Sequence, residues 1–146
     1  ELNTKLNALQ REIKIIKNSK NINIYSIDQI KVDIVNYHYP WLQPTLTMNG
    51  LKLASIEDIT AMKLAAVTGR GTKKDFIDLF FLLKKYSLYD LIDFYNRKYA
   101  DGSVFMVLKS LTYFEDAESD PLPEMLLPFD WEFMKKTILK AVDDFK

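Results

Sequence analysis

The chain has 146 residues, 48% of them hydrophobic and 27% charged, with zero formal net charge and no cysteine. That is enough for one domain with a real core. It excludes disulfides, thiolate chemistry and cysteine metal sites, and gives no global field of the kind that draws a protein to nucleic acid. No apolar run approaches the roughly 18–20 residues that span a membrane, and the N-terminal residues hold no signal-peptide core, so a cytoplasmic location is expected.

In chain order, Leu2, Leu6, Leu9, Ile13 and Ile16 recur at spacings of three and four, which predicts a helix with one buried face. The period then changes. "INIYSI" reads as a strand and Asp28–Gln29 as a turn. "IKVDIVNY" is a second strand, with Ile30, Val32 and Ile34 on one side and Lys31 and Asp33 on the other. The two strands are close enough to pair as an antiparallel hairpin, which needs further strands or helices to be stable. Pro40 and Pro44 make 38–49 irregular and mark the expected internal seam, and "NGLKLAS" supplies a turn and a short extended piece.

The rest reads as helical. Ser55 with Asp58 predicts an N-cap for a helix over Ile56–Val67 that ends at Gly69 and Gly71. Phe76, Leu79, Phe80 and Leu83 define the buried face of the next helix. Ser87 with Asp90 starts another, a fourth covers Val104–Leu111, and Asp130 caps a last one over "WEFMKKTILKAVDDF". Between these lies "YFEDAESDPLPEMLLPFD", with six acidic and no basic residues and three prolines, read as loop with short turns. The fold class is α+β: a small sheet with helices over 1–50, then a mainly helical part over 51–146.

Asp33 is the carboxylate on an otherwise apolar strand. It is either a solvent-facing partner for Lys31 or a rigidly held group suited to metal-assisted chemistry, though one aspartate is not a metal site. His38 is the only histidine, which rules out a histidine metal cluster. Trp41, beside Pro40, either caps the core or lines a ligand cleft. Phe76, Phe80 and Phe81 read as packing. Lys63 and Arg70 are seven apart on one helix and share a face there. The lysine offers a mobile point charge to phosphate oxygens and the arginine a planar fork. Asp75 and Asp78 lie one turn apart on the following helix. Asp78 is placed to pair with Lys74, and Asp75 to orient Arg70 or Lys63 across the turn. A solvated charged face and an anion site both fit this pattern.

"IKVDIVNY" followed by "LASIEDITAMKLAAVTGRGTKKDFIDLFFLL" resembles the AbiEii/AbiGii toxin family of nucleotidyltransferases, within the DNA polymerase beta-like superfamily. The resemblance rests on a strand aspartate, then S-x-E-D-x-x-A-x-K, then R-G-x-K-K-D-x-x-D-L, over residues 22–111. It implies that Asp33 is the third carboxylate of a catalytic triad and a metal ligand. It implies that Lys63 and Arg70, joined by Lys74, contact nucleotide phosphates, and that Asp75 and Asp78 supply the later acidic motif. The implied chemistry transfers a nucleotide from an NTP to an acceptor with Mg²⁺, and the implied setting is abortive infection and type IV toxin–antitoxin pairs. An antitoxin protein and an RNA or protein acceptor are then expected partners.

The family's glycine-rich motif and D-x-D precede the third carboxylate, and neither stands in this sequence. Two-metal chemistry needs several carboxylate oxygens, so this polypeptide alone is expected to be incompetent. Three origins are open: a fragment of a longer enzyme, a shortened gene product, or a partner chain that supplies the missing half. Loss of strands from the front sheet would expose an edge and favour homo-oligomers. The alternative function is a noncatalytic interaction module that keeps the fold, with the acidic 113–130 segment as its contact surface.

Overall fold

The computed structural model describes residues 4, 6 and 11–145 of the chain. It divides into two compact units, Glu1–Tyr39 and Pro40–Lys146.

The first unit carries a three-stranded antiparallel sheet in the order β1 (Ile13–Asn18), β2 (Ile22–Ile27), β3 (Ile30–Val35). The hairpin expected from "INIYSI" and "IKVDIVNY" is present, with Ile27 paired to Ile30 and Ile22 to Val35. Asp28 and Gln29 close it at φ 48° and 69°, the left-handed pair of a two-residue type I′ turn. β1 corrects the helix expected at the N-terminus. Ile13 and Ile16 lie on a strand, Leu6 is helical, and Leu2 and Leu9 fall outside the described residues. The i, i+3 spacing of Ile13 and Ile16 coincides with a β-branched run, Ile13, Ile15 and Ile16. Such residues lose rotamer freedom in a helix and pack well on a pleated surface. A register shift between Ile15 and Lys17 breaks the alternation further. Cross-strand pairing puts Ile15, Tyr25 and Val32 on one face, where Tyr25 is buried. Asp33 lies opposite Ile24 on the other face.

The second unit opens with a two-stranded hairpin, β4 (Leu46–Met48) and β5 (Leu51–Leu53). Asn49 and Gly50, at φ 51° and 78°, turn it. β4 lies in the segment expected to be irregular: Pro44 precedes it and so removes no ladder hydrogen bond. Six helices follow: α1 (Ile56–Arg70), α2 (Lys73–Leu83), α3 (Leu88–Lys98), α4 (Val104–Leu111), a single turn α5 (Glu115–Glu118) and α6 (Trp131–Phe145). α1 runs through Gly69 to Arg70, three residues past the expected end, and Gly71 caps it.

The caps are those the sequence specifies. Ser55 Oγ accepts the Asp58 N–H, Ser87 Oγ accepts the Asp90 N–H, and Asp130 Oδ1 accepts the Phe133 N–H. α1 packs against α2, α3 and α4, and α6 packs against α2, α3 and α4. Their shared core holds Leu64, Phe76, Leu79, Leu91, Val107, Leu111, Met134 and Ile138, none more than 1% exposed. This core fixes the relative placement of α1 and α2, which carry the candidate site. The whole is a small β part followed by a mainly helical region, the α+β class expected.

Candidate functional site

α1 and α2 are joined through Gly71 and Thr72 alone. The joint is tight: a Cβ on Gly71 would stand 2.9 Å from the Phe76 ring and 3.2 Å from Val67. The short connection brings Lys63, two turns before the end of α1, alongside the first turns of α2. Lys63 Nζ donates to Asp75 Oδ1 at 3.0 Å and lies 2.7 Å from Asp78 Oδ2. The other Asp75 oxygen accepts both the Thr72 N–H, at 3.1 Å, and the Thr72 hydroxyl, at 2.7 Å. Asp75 thus closes the helix start and holds the lysine with its two separate oxygens. Asp78 is the more open carboxylate, its side chain 48% exposed against 14% for Asp75.

These contacts set the charge states. Partial burial pulls the Lys63 pKa down, but hydrogen bonds to Asp78 and Asp75 and their charges outweigh it and hold the ammonium above its ordinary value. Burial pushes Asp75 up, and the Thr72 hydroxyl, the Lys63 hydrogen bond and the Thr72 amide outweigh that, so the carboxyl sits below the ordinary range. At neutral pH the cluster is one ammonium between two carboxylates. Lys74 lines the same groove as Lys63 and Asp78. That groove, of about 380 Å³, continues along Ile77 and Phe81 to residues 123–127. Asp78 thus pairs with Lys63, where the sequence offered Lys74, and of the two cations offered to Asp75 it is Lys63 that is held.

Arg70 stands elsewhere. It lines a second groove of about 400 Å³ between the end of α1 and residues 106–116, with Lys109 and Tyr113. Asp33 belongs to the first unit, its carboxylate 3.3 Å from Lys31 Nζ. His38 is exposed in that unit. Among the described residues no three His, Cys, Asp or Glu side chains gather into a group able to hold a metal ion. Magnesium wants near-octahedral oxygen ligation, and Asp33 beside its lysine offers one carboxylate. The described residues therefore do not make up a magnesium site.

Two buried lysines escaped the sequence reading. Lys98 Nζ is 2.6 Å from Asp58 Oδ1, with both side chains fully buried, and also donates to the Pro40 carbonyl at 2.7 Å. It lies 4.9 Å from the centroid of the Trp41 ring. Asp58 further accepts the Leu42 and Gln43 amides and the Ser55 hydroxyl. Burial would push its carboxyl up; the Lys98 ammonium, Leu42, Ser55 and Gln43 together hold it below the ordinary value. Read as an acid near a helix start, Asp58 is in fact the hub that ties 40–43 to α1 and α3. Lys98 has a signal in the sequence, because it continues the Leu91, Tyr95 stripe of α3 at the next helical spacing. Lys73, also buried, donates to the carbonyls of Glu118 and Asp120, while its N–H is taken by Asp120 Oδ2.

Residues 10–146 match the family model described as nucleotidyl transferase AbiEii toxin, type IV TA system. The chain belongs to the AbiEii family. An uncharacterized protein of Aquifex aeolicus (strain VF5) is 34% identical to the chain over 137 residues, covering 91% of the chain and 66% of that relative. The chain thus spans a little under two thirds of this relative's length. No solved structure gives a significant match. Among the described residues no helix is long and apolar enough to cross a membrane.

Proposed function

We propose that this chain is the C-terminal portion of a metal-dependent nucleotidyltransferase that transfers a nucleotide from an NTP to an acceptor hydroxyl, as a cytoplasmic toxin of the type IV class. The observation that carries the reading is the Lys63 ammonium, fixed by Asp75 and Asp78 at one end of a groove that Lys74 also lines. In the reaction the acceptor oxygen bonds to the α-phosphorus and the bond to the bridging oxygen of the β-phosphate breaks. Pyrophosphate leaves and the hydroxyl proton passes to a base. Negative charge grows on the phosphoryl oxygens, and a positioned ammonium stabilises it without having to reorganise. Lys63 and Lys74 hold phosphate; Arg70 lines a separate groove and is left out of this site. Asp75 is a positioning residue, since both of its oxygens are engaged, and Asp78 keeps the carboxylate that faces the groove. Asp33 is the carboxylate that the family resemblance offers to magnesium, and by itself it does not hold the ion. The type IV setting of the family supports an antitoxin partner, and an RNA or a protein is the proposed acceptor.

Isothermal titration of the chain with each NTP and Mg²⁺ tests the phosphate site. Weak binding, reduced at least tenfold in Lys63→Ala, is expected. Absence of any phosphate-dependent heat, or an unchanged affinity in the variant, would overturn the assignment.

A further inference from the structure

The groove that begins at Lys63 has a second end to which the phosphate reading gives no work. Along α2 its lining runs Lys74, then Ile77 and Asp78, then Phe81, a single stripe at helical spacing that covers about 10 Å at 1.5 Å per residue. The charged side chains of α2 stand at the start of this stripe, and the ring stands at its far end. The opposite wall is Pro123, Glu124, Met125, Leu126 and Leu127. This wall belongs to a segment without helix or strand, bounded by α5 and α6, whose amides and carbonyls have no place in a helix or sheet ladder. Leu126 is 98% exposed and Leu127 59%, apolar surface next to an apolar groove. At the start of α2 the Thr72 amide is taken by Asp75 and the Lys73 amide by Asp120, which leaves the side-chain ammoniums as the main donors to an anion at this end.

Lys74 and Lys63, the latter shared with Asp75 and Asp78, at one end and a channel of Ile77, Phe81 and leucines beside Glu124 at the other fit an anion attached to a flat, weakly polar group. Resting on the phosphate assignment above, we propose that the stretch between Phe81 and residues 123–127 seats the nucleoside of the triphosphate. The base lies against Ile77 and Phe81, and Leu126 closes over it from the opposite wall. The volume of about 380 Å³ lies within the range of small-ligand pockets. The ligand would also cover leucine surface that now faces water. Residues 123–127 are then the wall that distinguishes a nucleotide from a bare phosphate chain.

The test compares an NTP with sodium tripolyphosphate, each with Mg²⁺, by titration into the wild-type chain and the Leu126→Ser and Phe81→Leu variants. Leu126 is almost wholly in solvent, so its replacement leaves the fold intact. Phe81→Leu keeps an apolar side chain where the ring packs. The proposal expects the NTP to bind more tightly than tripolyphosphate, and each variant to weaken the NTP by about fivefold or more while tripolyphosphate is unchanged. Equal affinity of the two ligands in the wild type would overturn the nucleoside seat and leave the phosphate site standing. So would NTP affinities untouched by both variants. If neither ligand binds, the phosphate assignment fails first and the nucleoside seat fails with it.

Discussion

The helical unit holds two lysine–aspartate clusters built from the same groups at similar distances, and they do opposite work. At Asp58 and Lys98 the side chains are wholly buried and the ammonium is shared between a carboxylate and the Pro40 carbonyl. At Lys63, Asp75 and Asp78 the lysine is 28% exposed and borders a groove. In the first cluster every contact is internal, so the charges serve to fix where 40–43 meets α1 and α3. In the second, water reaches the same charges, and their mutual attraction is correspondingly weaker. Burial, more than distance, decides which ion pair is structural and which can serve a ligand.

Breaking the sealed pair gives the largest effect. Lys98→Ala leaves the Asp58 carboxylate buried without its cation and is expected to cost about 3–5 kcal/mol in urea denaturation. Replacing both partners, Asp58→Leu with Lys98→Met, removes the unpaired charge but leaves the Leu42 and Gln43 amides and the Pro40 carbonyl without these partners, so it should recover only part of that loss; full recovery would mean that the pair does no more than balance charge. Acid sharpens the same contrast. Asp58 and Asp75 both sit below the ordinary carboxyl value of 3.8 in the folded chain. Their stabilisation is therefore complete above that pH and is lost as pH falls through the folded values. Thermal melts should show a drop in Tm below about pH 4, and a smaller drop in the double variant, which lacks the Asp58 carboxyl.

At the open cluster, Lys63→Ala should change stability by no more than about 1 kcal/mol, because exposed pairs contribute little. A loss as large as that of Lys98→Ala would make this cluster structural as well. The smallest effect is expected at the sheet. Lys31→Ala removes an exposed pair with Asp33 and should change the unfolding free energy from urea denaturation by no more than about 0.5 kcal/mol.

Much of this architecture could be read from local pattern. Ser55, Ser87 and Asp130 mark their helix starts, and Asp28–Gln29 and Asn49–Gly50 mark their turns, because caps and tight turns are made by residues adjacent in sequence. The Lys63–Asp75 contact was within reach, since only a two-residue joint separates the helices. What could not be read depends on distance or on competition. Lys98 meets Asp58 across 40 positions, and no periodicity links them. Ile13 and Ile16 fit a helical spacing and a strand composition at once, and pairing with β2 decides between them. Arg70 and Lys63 share a helix, yet α2 borders the groove at one of them and the 106–116 segment the groove at the other.

Gly71 sets the joint against an aromatic cluster. A methyl group there would press against the Phe76 ring and Val67. The Phe76 ring lies 4.9 Å from that of Phe114 and 6.4 Å from that of Trp131, centroid to centroid. Trp131 in turn donates to Glu118 and lies beneath the Lys73 ammonium. The joint thus abuts a run of three packed rings that reaches Glu118, in the acidic segment whose later residues form the far wall of the groove. Two walls that are separate in sequence are bordered by one aromatic cluster, and a glycine stands at its edge.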